Sequence, residues 1–508
     1  MKTSVFTSMR NINHLYLSLI FLVLSTGTIE AQTTTKPRTI VTTDGEVDDM
    51  DSFIRMLLYA NDLDLIGLVY SSSEFHYSGD GKGTTFTSNM PWAKNYGTRT
   101  DLRWLGTSWI QEYLDKYSQY YPNLLLHDKN YPKPEYLKSL VKVGNIEFEG
   151  EMTKVTEGSE FIKSILLDNN AVPVHVQMWG GTNTVARALK SIEEQYKGTA
   201  QWEAIYKKVC AKTVLYIILD QDETYKNYVS GAWPDVTVIY NQSQFWCLAY
   251  PWNKVVPEPY RPYLGGKWFA ENIKFNHGDL LAGYFLWGDG QKLVADPDHT
   301  HGDTVEVRTK GMQQYDFISE GDSPSYLYLL DVGLRSFEKP SNGGWGGRFV
   351  QSKTQPHFWH DGDEAKDYNT FDKKEDALFP QTRWVEALQN DFAARADWCI
   401  KPYQGANHPP SVKVKQSLDM NVKAGQSVQL NGTAKDPDGN SVSYKWWQYQ
   451  EAGSYNGNVR INTADKADAS FRVPGDAKAG DTIHIILEVT DNGVPALTRY
   501  QRVIAKVH

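Results

Sequence analysis

Asp44, Glu46, Asp48 and Asp49 fall within the short stretch Thr42-Thr43-Asp44-Gly45-Glu46-Val47-Asp48-Asp49-Met50-Asp51. The apolar pair Ile40-Val41 precedes it and the amphipathic run Phe53 to Tyr59 follows, a pattern that predicts strand, tight turn and helix. One or two acids at a helix amino terminus are ordinary capping. Four repel one another, and a divalent cation relieves that repulsion. Calcium, which takes roughly six to eight hard oxygen ligands, suits such a site. The competing reading is a capped surface helix.

Apolar runs alternate with helical stretches through the first 340 residues. Strands are predicted at Thr39–Thr42, Leu65–Tyr70, Val172–Met178, Val214–Leu219 and Val236–Tyr240. Helices are predicted at Asp49–Tyr59, Glu160–Asp168, Asn183–Tyr196 and Tyr326–Leu334. Continuous Val/Ile/Leu runs separated by helices imply an α/β fold, a mostly parallel open sheet covered on both faces. Ligands bind such sheets beyond the carboxyl ends of the strands. Two further motifs stand at strand–helix junctions: Met178-Trp179-Gly180-Gly181-Thr182-Asn183 and Glu320-Gly321-Asp322-Ser323-Pro324. Residues 71–150 are polar and aromatic with weak periodicity, the texture of a lid or substrate wall.

The three motifs, in this chain order, resemble the nucleoside hydrolase superfamily. Trp179-Gly180-Gly181, Glu320-Gly321-Asp322 and Trp345-Gly346-Gly347-Arg348 are most similar to its secreted bacterial branch, described as nucleoside hydrolase-like and cellulose-binding. The resemblance covers roughly residues 36–400 and implies a calcium shell of Asp44, Asp49, Asp322 and a backbone carbonyl near Trp179. It further implies that Asp44 acts as general base toward a cation-bound water, and that Asp48 bonds the sugar hydroxyls. Calcium acidifies water weakly, so a positioned base is still required. Three positions depart from the family pattern. Thr42 stands where its first motif usually has Asp, Ser73 or Glu74 where it has asparagine, and Gly321 where many members have the His that assists the leaving base. The metal and sugar half of such a site is kept and the nucleobase half rebuilt, so a furanoside or oligosaccharide competes with a nucleoside as substrate. Glu46, Glu74, Glu320 and His277 are the candidate acids, His277 being equally readable as a helix cap. Asp222 either faces the cleft or serves a turn. Glu74, Trp179, Asp222 and Glu320 are the candidate substrate contacts beside Asp48.

A net charge of −9 opposes nucleic acid as a partner, since phosphate binding needs a basic face. The 16 Trp and 30 Tyr suit sugar stacking, cores and interfaces alike. Lys2 and Arg10, the apolar run Leu15–Leu24 and small residues through Ala31 predict a secretory signal peptide over residues 1–31. That run is too short for a membrane span, so a secreted or periplasmic protein is expected. Cys210, Cys247 and Cys399 form no disulfide framework; buried thiols or one disulfide are the readings.

After the linker Asn407-His408-Pro409-Pro410, alternating apolar residues and turn signals at Pro437-Asp438-Gly439-Asn440 and Asp491-Asn492-Gly493 predict an immunoglobulin-like β-sandwich over residues 408–508. On one strand there, Trp446 and Trp447 point to opposite faces, one to the core and the other free to stack on a sugar. His299-Thr300-His301-Gly302-Asp303 and His357-Phe358-Trp359-His360-Asp361-Gly362-Asp363 have transition-metal ligand types but no zinc spacing. Asp436-Pro437-Asp438-Gly439-Asn440 reads as a β-turn or a calcium loop. Two functions stand against each other: a calcium-dependent glycosyl hydrolase, and a carbohydrate-binding protein on a hydrolase fold, with polysaccharide as ligand.

Overall fold

The computed structural model of the protein describes residues 36–293, 295–296 and 301–508. The predicted signal peptide over residues 1–31 and His299 lie outside the described residues. Eight strands form one sheet: β1 (Arg38–Thr43), β2 (Asp64–Tyr70), β3 (Val141–Val143), β4 (Val174–Met178), β5 (Thr213–Ile218), β6 (Thr237–Asn241), β7 (Val350–Gln351) and β8 (Phe358–His360). Their spatial order is β3-β2-β1-β4-β5-β6-β8-β7, parallel throughout except for the β8–β7 edge pair. Each of the five predicted strands is present. β3, β7 and β8 escape prediction because each is only two or three residues long.

Neighbouring residues on a strand point to opposite faces, and both faces are covered. Ile40, Val176, Met178 and Ile217 join one apolar cluster, Val41, Tyr216 and Ile218 the other. Four helices position the site or the core beneath it: α1 (Val47–Leu58), α2 (Trp109–His127), α3 (Asn183–Tyr196) and α4 (Ser323–Leu327). α1 presents Phe53, Ile54 and Leu57 to one face, and α3 presents Val185, Leu189 and Ile192 to the other. The chain runs from β1 outward to β2 and β3, then returns to place β4 on the opposite side of β1. Such a reversal opens a crevice at the carboxyl ends of β1 and β4.

Two expectations need correction. Residues 71–150 are more than a wall, because α2 buries Trp109, Ile110, Leu114 and Tyr117 in the main core. The apolar run Tyr326–Leu334 is helical only through Leu327. Beyond it the backbone is claimed by the carboxyl-terminal part of the chain: Val332 O accepts from Tyr500 N and Gly333 O from Arg502 N. Gly333 has φ +91°, and a Cβ there would lie 1.8 Å from Tyr500 O. Tertiary pairing overrides the local helical pattern.

Past the main sheet, a short hairpin pairs β9 (Asp367–Asn369) with β10 (Lys374–Asp376), and α5 (Val385–Trp398) closes the α/β portion. Residues 411–507 then form two four-stranded sheets. β11 (Ser411–Val414), β13 (Ser427–Lys435), β16 (Asp468–Arg472) and β15 (Ile461–Asn462) pair in that order in one; β12 (Asp419–Val422), β18 (Thr498–Val507), β17 (Thr482–Asp491) and β14 (Val442–Gln448) in the other. Their apolar faces enclose a separate core that includes Leu430, Trp446, Phe471, Ile485 and Ala505. All pairs are antiparallel except β12 with β18. This is the β-sandwich that the alternating pattern predicts.

Sandwich and α/β portion pack as one compact unit. At their joint, buried Asp367 accepts from Arg348 Nε at 2.8 Å, Arg383 Nη1 at 3.0 Å and Tyr449 Oη at 2.6 Å. The Trp345-Gly346-Gly347-Arg348 motif therefore serves this joint. Removing one partner of a buried ionic cluster strands the other charges, so Asp367→Ala is expected to cost about 3–5 kcal/mol. Urea unfolding of the variant would read that loss as a lower midpoint at unchanged slope.

Cys210, Cys247 and Cys399 are buried, unpaired thiols. Among the described residues no helix is long and apolar enough to cross a membrane. Asp361 accepts backbone N–H groups of Gln242, Ser243 and Gln244, and Asp436 accepts those of Asp438 and Asn440. Both acids act as turn and loop caps.

Candidate functional site

The end of β1 and the start of α1 bring the first acids together. Thr43 Oγ1 donates to Asp49 Oδ1 and accepts from Gly45 N at 3.3 Å, which fixes the turn. Asp48 and Asp49 then occupy the first turn of α1, where the helix dipole favours negative charge. Asp322 arrives from the other end of the α/β portion, just before α4. One carboxylate oxygen from each of Asp48, Asp49 and Asp322 lies within 4.8 Å of the others. Among the described residues this is the one group of His, Cys, Asp or Glu side chains gathered in a cation-sized cluster.

Asp44 lies beside this cluster, and its charge acts on Asp49. Gly180 passes directly over Asp44: a Cβ there would lie 2.8 Å from Asp44 Cγ. That close approach is what the Gly180-Gly181 turn is for. Gly321 has a matching role, since a Cβ on it would lie 2.8 Å from Asp48 Oδ2. No larger residue fits at 321 without moving Asp48.

Burial first, and mutual repulsion second, hold Asp48, Asp49 and Asp322 well above the usual carboxylate range. The charges acting on Asp322 are those of Asp48, Asp44 and Glu46. Both oxygens of Asp44, Oδ2 of Asp322 and Oγ1 of Thr42 are buried without a hydrogen-bond partner among the described residues. Buried polar atoms are rarely left so. Hard, anionic and unsatisfied oxygens in one place fit calcium better than zinc or copper.

His76, which the motif reading passes over, is the neighbour that matters most. Its Nδ1 stands 3.8 Å from Asp44 Oδ2 and its Nε2 3.9 Å from Asp296 Oδ2. Burial alone would lower its pKa, but Asp296, Asp44 and Glu46 outweigh burial and raise it. Its signal in the sequence is a lone His in Ser71-Ser72-Ser73-Glu74-Phe75-His76, just past the end of β2.

Over the acids lies a crevice of about 190 Å³, floored by Glu46, Asp48 and Asp322. Its walls carry the rings of Phe75, Trp92, Tyr96, Trp179, Trp246 and Tyr250, together with Arg103, whose charge acts on Glu46. Trp92 is 59% exposed and stands 6.3 Å from Trp246 between ring centroids, so the pair edges the mouth. Tyr250 Oη donates to Glu46 Oε1 at 2.9 Å. An adjoining cavity of about 370 Å³ shares Trp92 and Leu219 and is lined by Glu74, Asp220, Tyr225 and Phe358. Burial, then Glu149, pushes Glu74 up to about 8, and its Oε2 has no protein partner.

The other predicted groups are employed elsewhere. Trp179 lines the crevice, and its carbonyl accepts from Gln221 Nε2 at 2.8 Å with a second lone pair to spare. Asp222 accepts from Asn183 N, Thr224 N and Thr224 Oγ1, which makes it the cap of the turn before α3. Glu320 is fully buried against Arg55 at 2.8 Å, with Tyr284 and Ser323 donating to it. His277 Nε2 pairs with Asp397 Oδ1 at 3.2 Å. None of these three lines the crevice. Their positions answer the needs of packing: a buried arginine, a loop cap and a helix-end carboxylate each required a partner.

Glu74 gives a pH prediction. A carboxyl with a folded pKa of about 8 and an ordinary value of 4.5 holds its proton longer in the folded chain. Its stabilising effect is complete below about pH 4.5 and is lost as pH rises through about 8. Glu74→Gln should therefore melt like the parent at pH 4 and above it at pH 8.5, in thermal scans across that range.

Residues 38–349 match the family described as cellulose-binding Sde182, nucleoside hydrolase-like domain, and residues 427–507 match cellulose-binding protein Sde0182, C-terminal domain. Among solved structures, a nucleoside hydrolase-related hypothetical protein from Saccharophagus degradans, described as associated with carbohydrate metabolism, aligns with a TM-score of 0.68 at 27% identity. The alignment covers 93% of this chain and 100% of that one. A plant nucleoside hydrolase aligns with a TM-score of 0.32 at 9% identity, over 71% of this chain and 100% of its own. No curated protein matches the chain.

Proposed function

The chain belongs to the cellulose-binding Sde182 family through its nucleoside hydrolase-like domain, and on that footing we propose that its crevice hydrolyses glycosyl bonds with the help of a calcium ion. The observation that carries the reading is the meeting of half-buried Asp48 with buried Asp49 and Asp322 beneath an aromatic-walled crevice, with the charges of Asp44 and Glu46 bearing on them. Asp44, Asp49, Asp322 and the Trp179 carbonyl would hold the ion. Once bound, calcium supplies charge neutralisation and an oriented, slightly more acidic water.

The protein's own groups do the rest. Asp44 takes the proton of the attacking water, and His76 stands beside Asp44 to steady the charge it carries. Asp48, with Ser319 Oγ donating to it at 3.3 Å, is free on its remaining lone pairs to accept sugar hydroxyls. Those bonds strengthen as positive charge develops on the sugar ring, so they favour the transition state over the bound substrate. Trp92 and Trp246, at the mouth, stack on the sugar and exclude water. Of the candidate acids only Glu46 and Glu74 stand at the crevice or its neighbour. Glu74, protonated at neutral pH, is the better proton donor to the leaving group. The substrate class is a furanoside or short oligosaccharide, with Gly321 leaving no side chain to serve a nucleobase.

A second reading is favoured by the family's cellulose-binding description: a chain that holds polysaccharide without cutting it. Purified mature protein assayed on nucleosides and aryl furanosides, with calcium and with chelator, separates the two. Calcium-dependent turnover that disappears in Asp44→Ala supports hydrolysis. Retention on cellulose with no turnover on any of these substrates supports the second reading.

A further inference from the structure

A larger cavity lies elsewhere. A groove of about 930 Å³ runs along the joint between the α/β portion and the sandwich. That is the upper end of the roughly 300–1,000 Å³ range of ligand pockets. We infer that this groove is a second carbohydrate site, which takes a neutral, β-linked pyranose chain independently of any cation in the crevice. The inference rests on the polysaccharide-binding reading and not on hydrolysis.

The lining has the chemistry such a chain requires. Trp447 of β14 is half-buried in the groove while its neighbour Trp446 fills the sandwich core. Its ring is held in place: Nε1 donates to Glu488 Oε2 at 3.0 Å, Trp384 and Tyr449 pack at 6.1 and 5.5 Å between centroids, and the Arg383 guanidinium covers one face at 4.9 Å, so a sugar would stack on the opposite face. A fixed indole loses little entropy when a sugar face stacks on it. Tyr368 of the β9–β10 hairpin, 45% exposed, and Tyr260 supply further rings along the groove. Pyranoses with equatorial hydroxyls present flat C–H faces to such rings and hydroxyls at their edges. Amide side chains meet those edges: Asn390 is half-buried, Asn456 and Asn458 exposed.

Charge narrows the class. Glu375, Glu386, Glu451 and Glu488 line the groove against two cations, Arg383 and Lys445. Both cations are already engaged, Arg383 with Asp367 at 3.0 Å and Lys445 with Glu488 at 3.3 Å. Carboxylates accept hydroxyl hydrogen bonds but repel polyuronates and nucleic acids. Because both parts of the chain contribute walls, the site exists only in the assembled protein.

The test is isothermal titration of the full-length mature chain with cellohexaose, with a hexagalacturonate as the anionic control. The expected result is saturable cellohexaose binding, unchanged by chelator, with none for the uronate. Trp447→Ala should weaken binding by about tenfold or more, as loss of a buried aromatic anchor does. Tyr368→Ala, which removes a 45% exposed side chain between buried Asp367 and Asn369, should weaken it by at least about threefold. Affinity unaltered in both variants would overturn the inference. So would loss of binding on chelation, which would assign the sugar to the crevice, or a groove closed by a second copy, seen as a dimer that Tyr368→Ala dissociates. Failure of cellohexaose to bind at all overturns the second site yet leaves calcium-dependent turnover in the crevice as a separate question.

Discussion

Asp322→Asn is expected to stabilise the protein in chelator and to abolish its stabilisation by calcium. The two effects have opposite sign and one cause. Asp322 is buried with Asp48 and Asp49 within 4.8 Å and no cation among the charges acting on it. Two like charges at that separation repel by about 3–4 kcal/mol at an effective dielectric of about 20. Removing one charge from the cation-free chain relieves part of that. With calcium at about a hundred times its dissociation constant, the parent chain gains about 2.7 kcal/mol. The variant, short of a ligand and a charge, should gain almost none. Melting curves of both chains, each in chelator and in calcium, give the four values needed. An ordinary capped helix predicts a different pattern: loss of one acid changes stability little, and calcium has no effect on either chain.

The second large effect concerns turnover. Asp44→Asn keeps the volume under Gly180, where a Cβ would already lie 2.8 Å from Asp44 Cγ, but removes the base. General-base catalysis contributes about 10²–10⁴-fold, so kcat on an aryl furanoside should fall by that factor at least. Because Asp44 is also placed to hold the ion, calcium affinity should weaken at the same time. Assays at saturating calcium separate the two roles. Activity restored by excess calcium would leave Asp44 a ligand only, whereas a deficit that persists at saturation identifies it as the base.

The local parts of this architecture are readable from residues alone. Ile40-Val41 followed by the acid-rich turn is a strand entering a helix, and the structure places β1 and α1 there within two residues. Asn183–Tyr196 is helical over the predicted span. Local pattern does not convey which distant side chains meet. Glu320 stands two residues from Asp322 and looks equally eligible, yet its destination is Arg55, further along α1 than the crevice acids. His277 resembles a site histidine until Asp397 is found beside it. His76 escapes notice for the converse reason: its partners Asp44 and Asp296 come from distant segments. The run Tyr326–Leu334 has helical texture, and only the approach of Tyr500 explains why it unwinds. Pairings across long separations carry the site, and no short window contains them.

Calorimetric titration of the metal-free mature protein with calcium asks whether the gathered acids bind an ion. One ion per chain is expected, with binding lost in Asp49→Asn and in Asp322→Asn. Absence of binding at millimolar calcium, or undiminished binding in both variants, would contradict that expectation.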